Sequence, residues 1–168
     1  MLDRLFSGED PAEVSRVAHA TAAALLSRVR SDPDAAVVDR VVSFTTAHGM
    51  DDIAELWSRS PAKSLPGALW RLHLLQAMIY DDSATAALLY ERGRKAIASA
   101  DDVVAGASTP AGPEELVALI DTILRGVFVG DFAVALERAA AFCRIEAAGA
   151  TELANDYDST EPDRATVF

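Results

Sequence analysis

The stretch Ser64–Lys95, SLPGALWRLHLLQAMIYDDSATAALLYERGRK, decides the fold class. Ser64 stands two residues before Pro66, which is typical of a helix start: a serine side chain accepts a hydrogen bond from a free N–H group, and proline needs no such partner. The run from Leu69 to Tyr80 is apolar nearly all round, as in a helix enclosed by others. We therefore expect a central helix here.

A second helix follows directly, beginning at Asp82 or Ser83 and running to about Ala100. The whole chain supports the same interpretation, since 33 of its 168 residues are alanine. Alanine has the highest helix propensity and lets helices approach closely. A chain of this length forms one ordinary domain.

The remaining periodic segments begin at similar signals, mostly an aspartate or a proline. They predict further helices from Pro11 to about Arg30, from Pro33 to Gly49, over 52–59, from Pro113 through Val127, and from Phe132 to a point between Gly149 and Ala154. The fold class is therefore all-α, a compact single-domain bundle of six to seven helices over residues 1–154 with short connections. Residues 155–168 hold four acids and no periodicity, so we predict a disordered acidic tail.

Composition and charge exclude several classes of partner. The net charge of −11 repels phosphate backbones, and no helix carries a long basic stripe, so we expect no nucleic-acid binding. The most apolar window, 65–80, is too short for a membrane span. A single cysteine, Cys143, allows no internal disulfide and suits a reducing cytosol. We predict a cytoplasmic protein.

No pattern indicates a catalytic residue, a metal or a cofactor. His19, His48 and His73 fall on three helices, and none has a second His or Cys at three or four residues. Cys143 sits in what we interpret as an apolar helix seam, where a thiol is inert. Adjacent carboxylates lie at helix starts, where they satisfy free N–H groups; they are Asp51-Asp52, Asp81-Asp82, Asp101-Asp102 and Glu114-Glu115.

The window 57–95 is aromatic and basic within an acidic chain, with six Arg or Lys against three acids. On its central helix Trp70, His73, Ala77 and Tyr80 recur at three, four and three residues. That face is either core or the wall of an aromatic groove for a ligand or a partner helix. Arg92, Arg94 and Lys95 are interpreted as a solvated patch that pairs with acids of this chain or of a second copy.

Arg71 is the sharpest anomaly, because an unpaired guanidinium on a central apolar helix would be costly. Asp121 is its counterpart, a carboxylate between Ile120 and Ile123. Two hypotheses follow. Arg71 and Asp121 form a buried ion pair, with Arg125 competing for the carboxylate, or Arg71 faces a pocket and binds an anion.

Two segments, SLPGALWRL at 64–72 and GDFAVALERAAAF at 130–142, resemble a group of small all-helical actinobacterial proteins without an established activity. The similarity covers about Leu65 to Gly149. It implies a cytoplasmic helical protein and carries no site residue.

The favoured function is a non-catalytic cytoplasmic binding or assembly module that meets a protein partner or forms a homo-oligomer through an apolar helix face. The alternative is a small-molecule protein that binds an anionic ligand in a pocket near Trp70, Arg71 and His73, with Tyr80 on the same face. A third possibility is an enzyme whose site the sequence does not assemble.

Overall fold

The structure is a computed structural model that describes residues 10–27, 50–100 and 110–160. Every regular element in these ranges is a helix, and none is a strand. The six helices are α1 (Pro11–Ser27), α2 (Met50–Ser58), α3 (Leu65–Asp81), α4 (Ser83–Ala100), α5 (Pro113–Leu124) and α6 (Phe132–Thr160). The predicted all-α bundle is confirmed. The helix predicted from Pro33 to Gly49 lies outside the described residues.

Side-chain caps begin several of these helices, as the sequence predicted. The Ser64 hydroxyl accepts a hydrogen bond from the Gly67 amide at 3.2 Å. Asp82 accepts from the Thr85 amide at 2.9 Å, and hydrogen bonds from the side chain and backbone of Thr85 lower the pKa of Asp82. Asp131 likewise accepts from the backbone two residues on, at 2.8 Å. These carboxylates satisfy N–H groups that have no partner within the helix.

The chain divides into two compact units, which are described one by one. The first comprises the described residues up to Gln76 and the segment Leu119–Gly130. Trp57 is fully buried in it, and its indole N–H donates a hydrogen bond to the Thr21 hydroxyl at 3.1 Å, which joins α2 to α1. The other large buried side chains of this unit are Leu25, Ile53, Leu69, Leu72, Ile120, Ile123 and Leu124.

The second unit comprises Ala77–Ala118 and the chain from Asp131 onward, and its main contact is α4 against α6. Gly93 of α4 and Gly149 of α6 meet there. A Cβ atom on Gly93 would overlap the Ile145 carbonyl, and one on Gly149 would overlap the Leu89 carbonyl. The two backbones therefore touch, and only glycine fits at either position.

An aromatic contact accompanies this crossing. The rings of Tyr90 and Phe142 stack with centroids 5.7 Å apart and an interplanar angle of 17°. The Tyr90 hydroxyl donates to the Pro110 carbonyl at 2.6 Å, which ties the loop before α5 to α4. Burial raises the pKa of Tyr90, so its hydroxyl stays a donor.

Helix α6 ends at Thr160, well beyond the predicted end between Gly149 and Ala154. The predicted disorder of the tail is therefore wrong for residues 155–160, and the rest of the tail lies outside the described residues. In this last part of α6, Asp156 forms a salt bridge with Arg92 of α4. The assignment of 1–154 to a single domain stays a prediction.

The glycine crossing gives a stability prediction. Gly93→Ala and Gly149→Ala are each expected to lower the free energy of unfolding by about 1–3 kcal/mol, because the added methyl group meets backbone atoms that cannot turn aside. Gly112→Ala is the matched control, since a Cβ there would find its nearest neighbour, an atom of Tyr90, at 4.0 Å. Urea unfolding measures all three. Equal tolerance of the three substitutions would contradict the close crossing.

Candidate functional site

The predicted aromatic face of α3 is only partly assembled. Trp70 and His73 are half-buried, and their rings lie 5.7 Å apart at 30°. Tyr80 is 65% exposed and belongs to the second unit. The prediction that Trp70, Arg71, His73 and Tyr80 bind a ligand stays a prediction.

The structure corrects the hypothesis of a buried Arg71–Asp121 ion pair. Arg71 is exposed, and its Nη1 donates to the Gly67 carbonyl of its own helix at 2.9 Å. Asp121 instead accepts a hydrogen bond from Nε of Arg125 at 3.0 Å, one turn along the same helix segment. The physical reason is rotation about the helix axis: Leu72 is buried, and its neighbour Arg71 points about 100° away from it.

This correction predicts that Arg71 contributes little to stability. Arg71→Met is expected to change the free energy of unfolding by less than about 0.5 kcal/mol, as for other exposed residues. The neighbouring control Leu72→Ala should cost about 2–5 kcal/mol, because it empties a buried position. Chemical denaturation compares the two. A large loss of unfolding free energy for Arg71→Met would contradict the exposed position of Arg71 and favour the buried ion pair.

The predicted basic patch pairs with acids of this chain. Arg94 lies 3.3 Å from Glu91, and Arg92 bridges to Asp156. Both pairs are partly exposed, so each contributes little stability. The patch is therefore a neutralised surface of the second unit.

Helix α6 has two apolar faces, and this is its most informative property. One face is buried and packs against α4 through Phe142, Ile145 and Gly149; the other buried residues on this side are Ala135, Ala139 and Glu146. The second we call the α6 apolar face; it comprises Ala133, Leu136, Ala140, Cys143, Ala147, Ala150 and Ala154. No member of the second face is charged. Five members are exposed, and the other two are half-buried.

Cys143 lies on the exposed face, not in the buried seam where the sequence analysis placed it. Its neighbour Phe142 is the seam residue and is fully buried. Burial of the sulfur, followed by the charge of Glu146, raises the pKa of the Cys143 thiol. The residue as a whole is exposed, but the raised pKa keeps its thiol protonated at neutral pH, which disfavours nucleophilic chemistry.

Glu146 is a buried carboxyl that the sequence analysis did not single out. Glu146 is 9% exposed, and its Oε1 has no hydrogen-bond partner among the described residues. Burial raises the pKa of Glu146 from 4.5 to about 7. Glu146 is one helical turn from Cys143, so it lies at the edge of the α6 apolar face. An unpaired carboxyl at such a position is costly when ionised.

Comparison with models of known protein families, with curated proteins and with solved structures found no match to the chain. Within the described ranges, no group of three or more histidine, cysteine or carboxylate side chains is arranged to hold a metal ion. The helices in those ranges also lack the combination of length and apolarity that crossing a bilayer requires.

A signal for the α6 apolar face was present in the sequence. Uncharged residues recur from Ala133 to Ala154 at alternating steps of three and four, which is the spacing of a helix that pairs with another. Glu146 gave a weaker signal, because a glutamate beside alanines also occurs on solvated faces. Its burial depends on α4, which the local sequence does not place.

Glu146 predicts a pH dependence of stability. The unfolded chain releases this proton near pH 4.5, and the folded chain releases it near pH 7. The free energy of unfolding therefore falls as the pH rises from 4.5 to about 7, and it does not change further above that range. The expected fall is on the order of 1–2 kcal/mol, allowing for partial solvent screening. Glu146→Gln should remove it, and calorimetry across this pH range measures it.

The exposed Glu152 on the same helix provides the matched control. Glu152→Gln should leave the fall in place, because a solvated carboxyl has no burial penalty to relieve. If both variants retain the full pH dependence, the fall belongs to other groups and the assignment to Glu146 is wrong.

Proposed function

We propose that this protein is a non-catalytic cytoplasmic module that acts by protein–protein contact, and that the α6 apolar face is its contact surface. The observation that carries the proposal is an exposed, uncharged face that extends from Ala133 to Ala154 on a 29-residue helix. Exposed residues on the outer side of a surface helix are normally charged or polar.

The fold of the second unit gives this face no internal role. Helix α6 already packs against α4 through its other face, where the backbones meet at Gly93 and Gly149. A second apolar face on the same helix, turned away from α4, is therefore available to a partner. Its alternating three- and four-residue spacing is the pattern by which one helix packs along another.

Glu146 supports the same surface. A carboxyl that is 9% exposed and has one unpartnered oxygen would be stabilised by a change in its surroundings. A partner seated beside Cys143 lies close enough to alter those surroundings, because Glu146 is one helical turn from that residue. Assembly and the protonation of Glu146 are then coupled.

The proposal predicts concentration-dependent assembly that depends on this face. In light scattering, the wild-type mass should rise between micromolar and high micromolar concentrations. Ala140→Glu and Ala147→Glu should each hold the protein at the monomer mass, because a charge in the contact must be desolvated.

The control is Ala87→Glu, the same substitution at an exposed alanine of α4. It should assemble as the wild type does, and circular dichroism should show that all three variants are folded. A wild-type monomer mass at every concentration, with no other protein bound, would contradict the proposed function.

A further inference from the structure

We infer that the partner on the α6 apolar face is a second copy of this chain, with the two α6 helices packed antiparallel. The inference rests on the proposed function and names its partner. The spacing of the face sets the register of the pair. In an antiparallel pair, the numbers of two residues that face each other have a constant sum, which is about 283 in this register. The layers are Ala140 on the partner's Cys143, Leu136 on the partner's Ala147, and Ala133 on the partner's Ala150, each repeated by the two-fold axis.

Charge complementarity selects this partner and this register. Glu137 and Arg144 lie on the same edge of the face, two helical turns apart. Both are exposed, and neither forms an ion pair with any described residue. In an antiparallel pair the same edges of the two helices meet, so each Glu137 lies beside the partner's Arg144. Two equivalent ion pairs then flank the contact.

Other arrangements of the same two helices lose these pairs. A shift by one heptad brings Arg144 beside the partner's Arg144, and like charges repel. A parallel arrangement sets Glu137 beside the partner's Phe132 and Arg144 beside the partner's Ala139, so neither charge is satisfied. Antiparallel packing also aligns the helix dipoles favourably.

The other edge of the face carries a buried carboxyl. Glu146 is there, nine-tenths buried, with an oxygen that no described residue satisfies. Glu146 is one helical turn from Cys143 along the chain, which places it at this edge of the face.

The size of the contact indicates a weak, reversible association. Six layers made mostly of alanine bury less than the roughly 1,600 Å² of a standard interface. Small side chains also let the helices approach closely, to about 8 Å. We therefore expect association in the micromolar range or weaker, which a covalent trap detects best.

The test uses disulfide trapping between two different proteins. Wild type carries its one cysteine at 143, and the variant Ala140→Cys/Cys143→Ala carries it at 140. Oxidised together above neutral pH, the two should form a mixed dimer at least fivefold in excess of either homodimer. Within a homodimer the two sulfurs would be offset by about 4.5 Å along the axis, which disfavours a bond. Peptide mass spectrometry identifies the 140–143 link.

Each alternative result has a separate meaning. Homodimers as abundant as the mixed dimer would overturn the antiparallel register. Absence of any disulfide in a protein whose assembly Ala140→Glu abolishes would overturn the antiparallel α6 pair but leave the α6 apolar face standing as the contact surface. A protein that is monomeric and does not crosslink would end both.

A charge swap tests the ion pairs without a new thiol. Glu137→Arg and Arg144→Glu should each weaken association by about tenfold, because two attractive pairs become repulsive. The double variant Glu137→Arg/Arg144→Glu should restore association to within about twofold of the wild type. Failure of the double variant to recover, in a protein with unchanged circular dichroism, would overturn the pairing of these residues.

Discussion

The contact between the backbones of α4 and α6 at Gly93 and Gly149 is the constraint on which the second unit depends. Because neither position has room for a Cβ, the helices meet at one point along their length and at one rotation about their axes. The Tyr90–Phe142 stack and the Arg92–Asp156 salt bridge join the same two helices on either side of this point. The same rotation turns the α6 apolar face away from α4.

That rotation explains which properties of the fold local sequence could predict. Helix starts at Ser64, Asp82 and Asp131 were readable because a cap involves residues only two or three positions apart. The end of α6 was predicted too early, because a glycine such as Gly149 commonly ends a helix. Gly149 instead lies where α6 crosses α4, and the local sequence does not show that contact.

The errors at Arg71 and Cys143 have one physical origin. Each residue is next to a buried one, Leu72 or Phe142, and one step along a helix turns a side chain by about 100°. Where apolar residues lie on more than one side of a helix, their pattern predicts the helix but leaves its rotation open. The α6 apolar face was not predicted for the same reason. Its spacing is visible in the sequence, but its exposure follows from the glycine crossing.

The buried carboxyl of Glu146 carries a stability cost that an uncharged side chain would avoid. A glutamine or an apolar residue at this place would cost less to bury, so the carboxyl lowers the stability of the second unit at neutral pH. Its proton equilibrium lies near neutrality, within the range where a modest change in surroundings shifts its charge. The Glu146 side chain therefore both lowers the stability of the second unit and makes that stability depend on pH.

The distribution of the two tryptophans has a spectroscopic consequence. Trp57 and Trp70 both belong to the first unit, and the chain has no other tryptophan. Trp57 is fully buried against α1, whereas Trp70 is only half-buried, so their emission should differ in wavelength and in quenching by iodide. Indole fluorescence thus comes from the first unit alone, while the second unit, with Tyr80, Tyr90 and Tyr157, is followed by tyrosine absorbance or emission.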